Sequence, residues 1–484
     1  MADGQFLERT LGGAPMRLAR RGAALLAPSQ ERSRERVRRA GLSGLAAVGA
    51  YGVGVLVVVV TVPITLPYLG TERYGLWMTL TSFIVLLNLV DFGIGNSLVN
   101  SVAEADGRDD LDAAKRHVST AFFLLVALAA VLAVVFVLVY PLIHWDAVFN
   151  VSSSQAADEA GPAAAVLAGV LFLGLPLNIV QRAQSGQQQG FRSSVWNAGG
   201  SLLGLAGICI AVALNAGLPW LAGVYAAGPL LATAVNNLYW FGRIRPQLRP
   251  QLASVSRSAA RALVRLGFSL FVLNLAWGVT NLTDNIVIAQ VLGADSVAGY
   301  AVAWKLFTLI SVPAGLVLLP LWPAYAEAAT RGDMDWVRLT FRRSMRLVAA
   351  VVIPASALFV LLGREVIQVW TGSAVHPSFA LMCALGVWTV IYGLSMAASV
   401  MLTGLRAMRL QVTTWGLAAL VNVPLSVVLA SALGVEGAIL GSLAAVVAFV
   451  TVPYCVAVPR ILGSRDRVGP QLAPDPSAPR PSVH

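Results

Sequence analysis

Residues 193–242 read SSVWNAGGSLLGLAGICIAVALNAGLPWLAGVYAAGPLLATAVNNLYWFG, a run without one charged side chain. Soluble domains carry about 25% charged residues, so a run of this length has no place on a water-exposed fold. About 20 apolar residues in a helix cross a hydrocarbon core roughly 30 Å thick. This run holds two such lengths, parted by Asn215-Ala216-Gly217-Leu218-Pro219, whose glycine and proline signal a tight turn. It therefore predicts two membrane helices back to back.

The pattern extends in both directions. Apolar stretches fall near 42–69, 74–101, 117–143, 162–183, 195–215, 219–241, 266–292, 297–326, 345–363, 379–403, 411–433 and 437–459. Over the whole chain 57% of residues are hydrophobic and 12% charged. The net charge of +11 is cationic enough for nucleic acid, but the cations lie between apolar stretches, so no nucleic-acid partner is expected. The arginines set the orientation. Residues 1–41 hold nine of them, and the 2–3, 4–5, 6–7, 8–9 and 10–11 loops hold most others, including Arg182 and Arg192. The six alternate loops hold only Arg73 and Arg364. By the positive-inside rule both ends lie in the cytoplasm of a bacterial inner-membrane protein, with an even number of crossings.

The chain also repeats. Leu69-Gly70 recurs as Leu292-Gly293, Ala103-Glu104-Ala105 as Ala326-Glu327-Ala328, and Asp110-Leu111-Asp112 as Asp333-Met334-Asp335, all offset by 223 residues. Gly190-Phe191-Arg192 is echoed by Gly404-Leu405-Arg406, and Gly217 by Gly434, at shorter offsets. Self-similarity at a fixed offset marks duplication. With six helices per half, the halves run parallel and are related about the membrane normal. The expected fold is an all-α integral membrane protein of about twelve transmembrane helices in two parallel six-helix lobes related by a pseudo-two-fold axis along that normal. Its parts are a basic segment (1–41), an N-lobe (42–241), a basic linker (242–265), a C-lobe (266–461) and a proline-rich tail (462–484) expected to be disordered. Arg20-Arg21 before a short apolar stretch resembles a twin-arginine signal, though the stretch is short for one.

Several chemistries are missing. There is no GxxxxGK[ST] loop for ATP, and the two lysines are Lys115 and Lys305. His117, His144, His376 and His484 have no metal spacing, and no cofactor is expected. Cys209, Cys383 and Cys455 sit in apolar runs and read as packing residues. The longest outer connection, about 145–161, offers only Asp146, Asp158 and Glu159, too little for an outer catalytic domain, so the chain does not read as an enzyme.

Charges inside the bilayer are costly and therefore informative. Asp284 and Lys305 lie at equal distance on either side of the 293–296 turn, each roughly 12 Å below the outer helix ends. If their faces meet they pair, either as a structural tie between helices 7 and 8 or as a cavity pair. In the cavity reading Lys305 attracts a phosphate, and Asp284 tunes it or exchanges a cation. Asn274, Asn281 and Asn285 form a stripe with Asp284 at its edge, facing a wet cavity or neighbouring helices. On helix 2, Asn88 and Asp91 share a face with Thr81. Asp91 lies near the cytoplasmic end, where it serves the cavity or caps the glycine-weakened Phe92-Gly93-Ile94-Gly95-Asn96. Pro63, Pro67, Pro313, Pro320 and Pro323 should kink helices 1 and 8, as a hinge or within a static bundle. Arg182 and Arg192 stand at the cytoplasmic mouth, as capture residues or as solvated loop cations.

Tyr68-Leu69-Gly70-Thr71-Glu72-Arg73-Tyr74-Gly75-Leu76-Trp77, then Asp91-Phe92-Gly93-Ile94-Gly95-Asn96, then Ala103-Glu104-Ala105, resemble bacterial polysaccharide flippases. These are O-antigen-type lipid-linked oligosaccharide exporters of the multidrug/oligosaccharidyl-lipid/polysaccharide superfamily. The likeness spans residues about 40–460. It implies alternating-access transfer of an undecaprenyl-diphosphate-linked glycan between leaflets, with membrane lipids and polysaccharide polymerase or glycosyltransferases as partners. Relatives that flip the peptidoglycan precursor typically have fourteen helices and several cavity cations, a pattern this chain departs from. A cation-coupled exporter of drug-like amphiphiles is the second reading, with Asp284 as its proton or sodium site.

Overall fold

The computed structural model describes residues 14–87, 91–318, 321–372 and 374–463, with side chains from Ala46 onward except at 266, 269–270, 312–314, 316–317 and 323. Among these residues nine helices are long and apolar enough to cross a membrane. Interrupted helices bring the total to twelve spans. Spans 1 and 2 meet at Gly70 inside the run Ala14–Leu87, and span 2 continues in Ile94–Gly107. Spans 3 to 6 are Leu111–Leu142, Ser154–Gly186, Gly190–Ala213 and Leu218–Ile244. Span 7 is Arg257–Leu282 followed by Asp284–Leu292, and span 8 is Ala294–Leu318 followed by Leu321–Thr330. Spans 9 to 12 are Met334–Thr371, Phe379–Gly404, Met408–Leu433 and Val435–Gly463. The helix of span 1 begins at Ala14, so part of the basic segment is a helical extension of the first span.

The duplication is written in backbone geometry. Gly70 and Gly293, 223 residues apart, turn the chain at φ 76° and 93°, a region that a Cβ makes unfavourable. At the same offset Asp110 and Asp333 each cap the helix that follows, accepting from Ala113 N at 2.8 Å and Trp336 N at 3.0 Å. Glu104–Arg108 and Glu327–Arg331 form matching ion pairs at 2.6 Å. Gly186 packs against Val102, and Gly404 packs against Tyr325 in the same way. The turns between spans 4–5 and 10–11 match as Gln188 and Arg406, both at positive φ. The equivalent of Gly404 is therefore Gly186, and the Gly190-Phe191-Arg192 echo is four residues out of register. Sequence identity at that turn misled because glycine occurs at both ends of it.

Helix runs through Pro63 and Pro67, and the backbone leaves helical geometry at Gly70. In span 8 a helix covers Pro313, while Pro320 lies outside the described residues. Cys209 and Cys455 are exposed rather than packed, on the apolar perimeter of the bundle.

Each half has its own ties at the arginine-poor end. Arg73 binds Glu159 through two nitrogens at 2.6 and 2.9 Å, and Glu159 also accepts from Leu218 N at 3.1 Å. Glu72 accepts from the backbone of Ser152 and Ser153, joining the 1–2 turn to the 3–4 connection. Glu72, Arg73 and Glu159 are thus spent on holding these loops together.

Candidate functional site

The two halves meet along spans 1, 2, 7 and 8. Gly75 of span 2 lies against the start of span 8, so close that an added Cβ would overlap the Ala294 carbonyl. Thr71 donates to Asp295, and Asn150 Oδ1's amide partner, Nδ2, donates to Gln290 O at 3.3 Å. Asn150 O accepts from Ala294 N at 3.3 Å, and Gln290 donates to Val148 O. The short helix Trp145–Phe149 and its cap Asn150, at φ 48°, therefore latch the arginine-poor end of the first half onto the 7–8 turn of the second.

One turn and more below this latch stands Lys305. Its Nζ donates to the Tyr74 hydroxyl at 2.7 Å and lies 5.1 Å from the centre of that ring. Tyr74 is 1% exposed and packs edge-on with Trp77, which packs edge-on with Tyr225. Among the described residues no carboxylate is in ion-pair range of Lys305. A cation in an apolar bundle with phenols for company and, among the described residues, no carboxylate partner is an unneutralised charge at the boundary between the halves.

Asp284 does not pair with it. The carboxylate turns into the second half, where it accepts from Tyr300 Oη at 2.6 Å and Ser442 Oγ at 2.7 Å. Ser442 in turn accepts from Asn422 Nδ2 at 2.6 Å, and Asn422 Oδ1 accepts from Thr283 at 3.2 Å. Equal depth along two helices does not make their faces meet. Asp284 lies on the face of span 7 that is buried against spans 11 and 12. Replacing Asp284 with alanine strands the Tyr300 and Ser442 hydroxyls, each worth about 1–3 kcal/mol when left unpaired. Asp284→Ala is therefore expected to lower the thermal midpoint of the purified protein clearly, and Asp284→Asn less. A midpoint unchanged in both would overturn this role.

The asparagines part company too. Asn285 reaches across the boundary and donates to Ser82 at 2.9 Å. Asn281 donates to the Trp277 carbonyl at 2.9 Å, and Asn274 is partly exposed on the same flank. Asn88 lies outside the described residues. Asp91 caps the bent end of span 2, accepting from Gly93 N at 2.8 Å and Gly95 N at 3.2 Å. That cap holds Phe92 at φ 50°, a strained setting for an aromatic residue, opposite Phe271. Arg182 is no free loop cation: it sits on the helix Ile179–Gly186 and donates to Asn96 Oδ1 at 3.0 Å. Together with Asp91 it lines a cleft of about 220 Å³. Arg192 lies 5.4 Å from the Phe191 ring, and its Nε is buried without a hydrogen-bond partner.

Sequence reasoning missed Tyr74, Tyr300, Asn422 and Ser442. Tyr74 stood in the quoted motif beside Arg73, and the other three were visible only as polar residues in apolar helices. Among the described residues no three His, Cys, Asp or Glu side chains gather as metal ligands.

Twelve spans in two matched halves, tied across their boundary by Asn285–Ser82 and Lys305–Tyr74, define a multi-pass membrane protein. Solved structures agree on the fold. A multidrug-resistance MATE-family transporter of the MOP superfamily in its inward-facing conformation matches with a TM-score of 0.73 at 17% identity, over 88% of this chain and 95% of that one. The outward-facing conformation of a MATE-family transporter matches at 0.65 and 17%, over 89% and 97%. The family described as polysaccharide biosynthesis protein matches residues 43–326, and the chain belongs to it. The MatE family matches residues 270–428. A Salmonella typhi protein assigned as an O-antigen transporter is 27% identical over 292 residues, 58% of this chain and 63% of the relative's length. The expected kinship is borne out at the level of the polysaccharide biosynthesis family, and the solved structures agree on the fold.

Proposed function

We propose that this protein flips an undecaprenyl-diphosphate-linked oligosaccharide from the inner to the outer leaflet of the bacterial cytoplasmic membrane, for cell-surface polysaccharide synthesis. The observation that carries this reading is Lys305, an unneutralised cation at the boundary between the halves of a polysaccharide-family transporter. A diphosphate supplies the missing charge. Its polyprenyl tail stays in the bilayer while the headgroup passes between lobes 42–241 and 266–461. The arginine-rich end, with both termini, faces the cytoplasm. Polymerase and glycosyltransferases are the expected partners.

Transport proceeds by alternating access. With the outer latch of Asn150, Gln290 and Ala294 joined, the headgroup enters from the cytoplasmic side past Arg182 and Arg192; parting the latch releases it outside. Moving negative charge out of a negative cytoplasm gains roughly 2.3 kcal/mol per charge per 100 mV, so no ATP is needed. The second reading is a cation-coupled multidrug-type exporter with Asp284 as its ion site. The match of residues 270–428 to the MatE family favours it over a lipid II flippase. The deciding experiment is flipping of a labelled undecaprenyl-diphosphate sugar in proteoliposomes. Export that rises with an inside-negative potential supports the flippase; no flipping under any gradient moves the assignment to the exporter.

A further inference from the structure

Span 7 has two unlike flanks on either side of the face it buries. Val272, Leu275, Val279 and Leu282 make one flank wholly apolar, as lipid or packed helices require. The other carries Asn274, Trp277 and Asn281, at helical spacings of three and four, one turn apart. Asn281 donates to the Trp277 carbonyl one turn back, and a flank of amides around an indole suits the boundary between the halves better than hydrocarbon. Asn285, continuing the same line, touches Ser82 of the other half and fixes that direction.

Trp277 stands in the middle of this flank, 39% exposed. It is held in place from behind. Its indole N–H donates to Tyr392 Oη at 2.7 Å, and Tyr392 stacks on Trp388 at 5.8 Å with planes 18° apart. Trp388 meets Trp304 at 6.1 Å, and Trp304 stacks on Tyr300 at 5.9 Å. Trp388 and Tyr300 are buried at 3% and 2% exposure, so the inner rings of this ladder are packing. Trp277 is the rung left open. Trp304, next to Lys305 in sequence, ties the ladder to the helix that carries the cation.

An open aromatic face with an amide one turn above and one turn below matches one class of ligand closely. A pyranose ring offers an apolar face of C–H groups and a rim of hydroxyls. The indole face takes the first, since its electron-rich surface attracts the slightly positive C–H hydrogens. Amide oxygens and N–H groups take the second, because they both donate and accept. We propose that Trp277, flanked by Asn274 and Asn281, is a sugar-stacking subsite for the glycan of the lipid-linked substrate, with Tyr392 as its positioning residue. This rests on the flippase reading, which it deepens: Lys305 takes the diphosphate, and Trp277 takes a sugar ring.

The test uses the full chain in proteoliposomes with two probes, undecaprenyl diphosphate bearing one N-acetylhexosamine and the same lipid without sugar. Trp277→Ala is expected to lower the preference for the sugar-bearing probe over the bare one by about tenfold, which is about 1.4 kcal/mol. Trp277→Phe, which keeps a ring face and loses the N–H, is expected to retain most of that preference. Three results overturn the subsite: wild-type preference in Trp277→Ala, equal losses for both probes in both variants, or Trp277-dependent binding of the organic cation tetraphenylphosphonium with no discrimination between the lipids. The failure of the flippase reading is distinguishable, because there the wild-type protein moves neither probe.

Discussion

Lys305→Met is expected to abolish glycolipid flipping while leaving the protein about as stable as the wild type. Removing one partner of a desolvated charge pair weakens binding by about 2–5 kcal/mol, which is roughly 30-fold to several-thousand-fold. The stability half of the prediction follows from the site. Lys305 has a phenol and a ring face for partners, and no carboxylate among the described residues. The free protein therefore bears the desolvation of an ammonium group that only an incoming anion repays. Methionine keeps the stem's length and drops the charge, and the desolvation it removes offsets the Tyr74 hydroxyl it leaves unpaired, so the thermal midpoint should change little as transport is lost. Lys305→Arg keeps the charge with a wider head and should retain partial transport. Intact flipping by Lys305→Met overturns the anion seat, and a fall in its midpoint assigns the lysine a structural role instead. Asp284→Ala provides the opposite signature, because there the loss begins with folding.

Gly75→Val is expected to hold the lobes apart at the outer end. At Gly75 a Cβ would overlap the carbonyl oxygen of Ala294, and Val297 Cβ would lie 3.3 Å away. Overpacking of this kind costs about 1–3 kcal/mol, enough to shift a two-state balance roughly 5- to 150-fold toward the open latch. Every cycle must pass through the latched state, so flipping should fall tenfold or more. The latch can be read directly. In a background with Cys209, Cys383 and Cys455 replaced, Asn150→Cys with Gln290→Cys should crosslink readily, and adding Gly75→Val should suppress it. Unchanged crosslinking together with unchanged transport overturns the latch as a moving part.

How much of this was legible beforehand varies from residue to residue. The turn at Asn215–Pro219 was read directly, because glycine and proline between two apolar lengths leave few alternatives; span 5 ends at Ala213 and span 6 begins at Leu218. Asp91 as a cap was legible as one of two readings, since a carboxylate just before Phe-Gly-Ile-Gly has backbone N–H groups within reach. Arg182 was open between a capture residue and a solvated loop cation; helix continues to Gly186 and carries it against Asn96. The Asp284–Lys305 pair failed for a geometric reason. Counting residues from a turn gives depth at 1.5 Å each, but the direction a side chain faces advances 100° per residue.

The sequence by itself determined the membrane, the even number of crossings, the arginine-rich end and the duplication. These depend on composition and spacing, which the hydrophobic effect and backbone hydrogen bonding read almost position by position. Only the tertiary structure decided who meets whom: Lys305 with Tyr74 across the boundary, Asp284 with Tyr300 and Ser442 inside one half, Asn150 with Gln290 at the latch, and Trp277 on the open rung of an aromatic ladder. Those contacts join residues 16 to 231 positions apart. They follow from how twelve helices rotate and tilt against one another, which no single helix's pattern specifies.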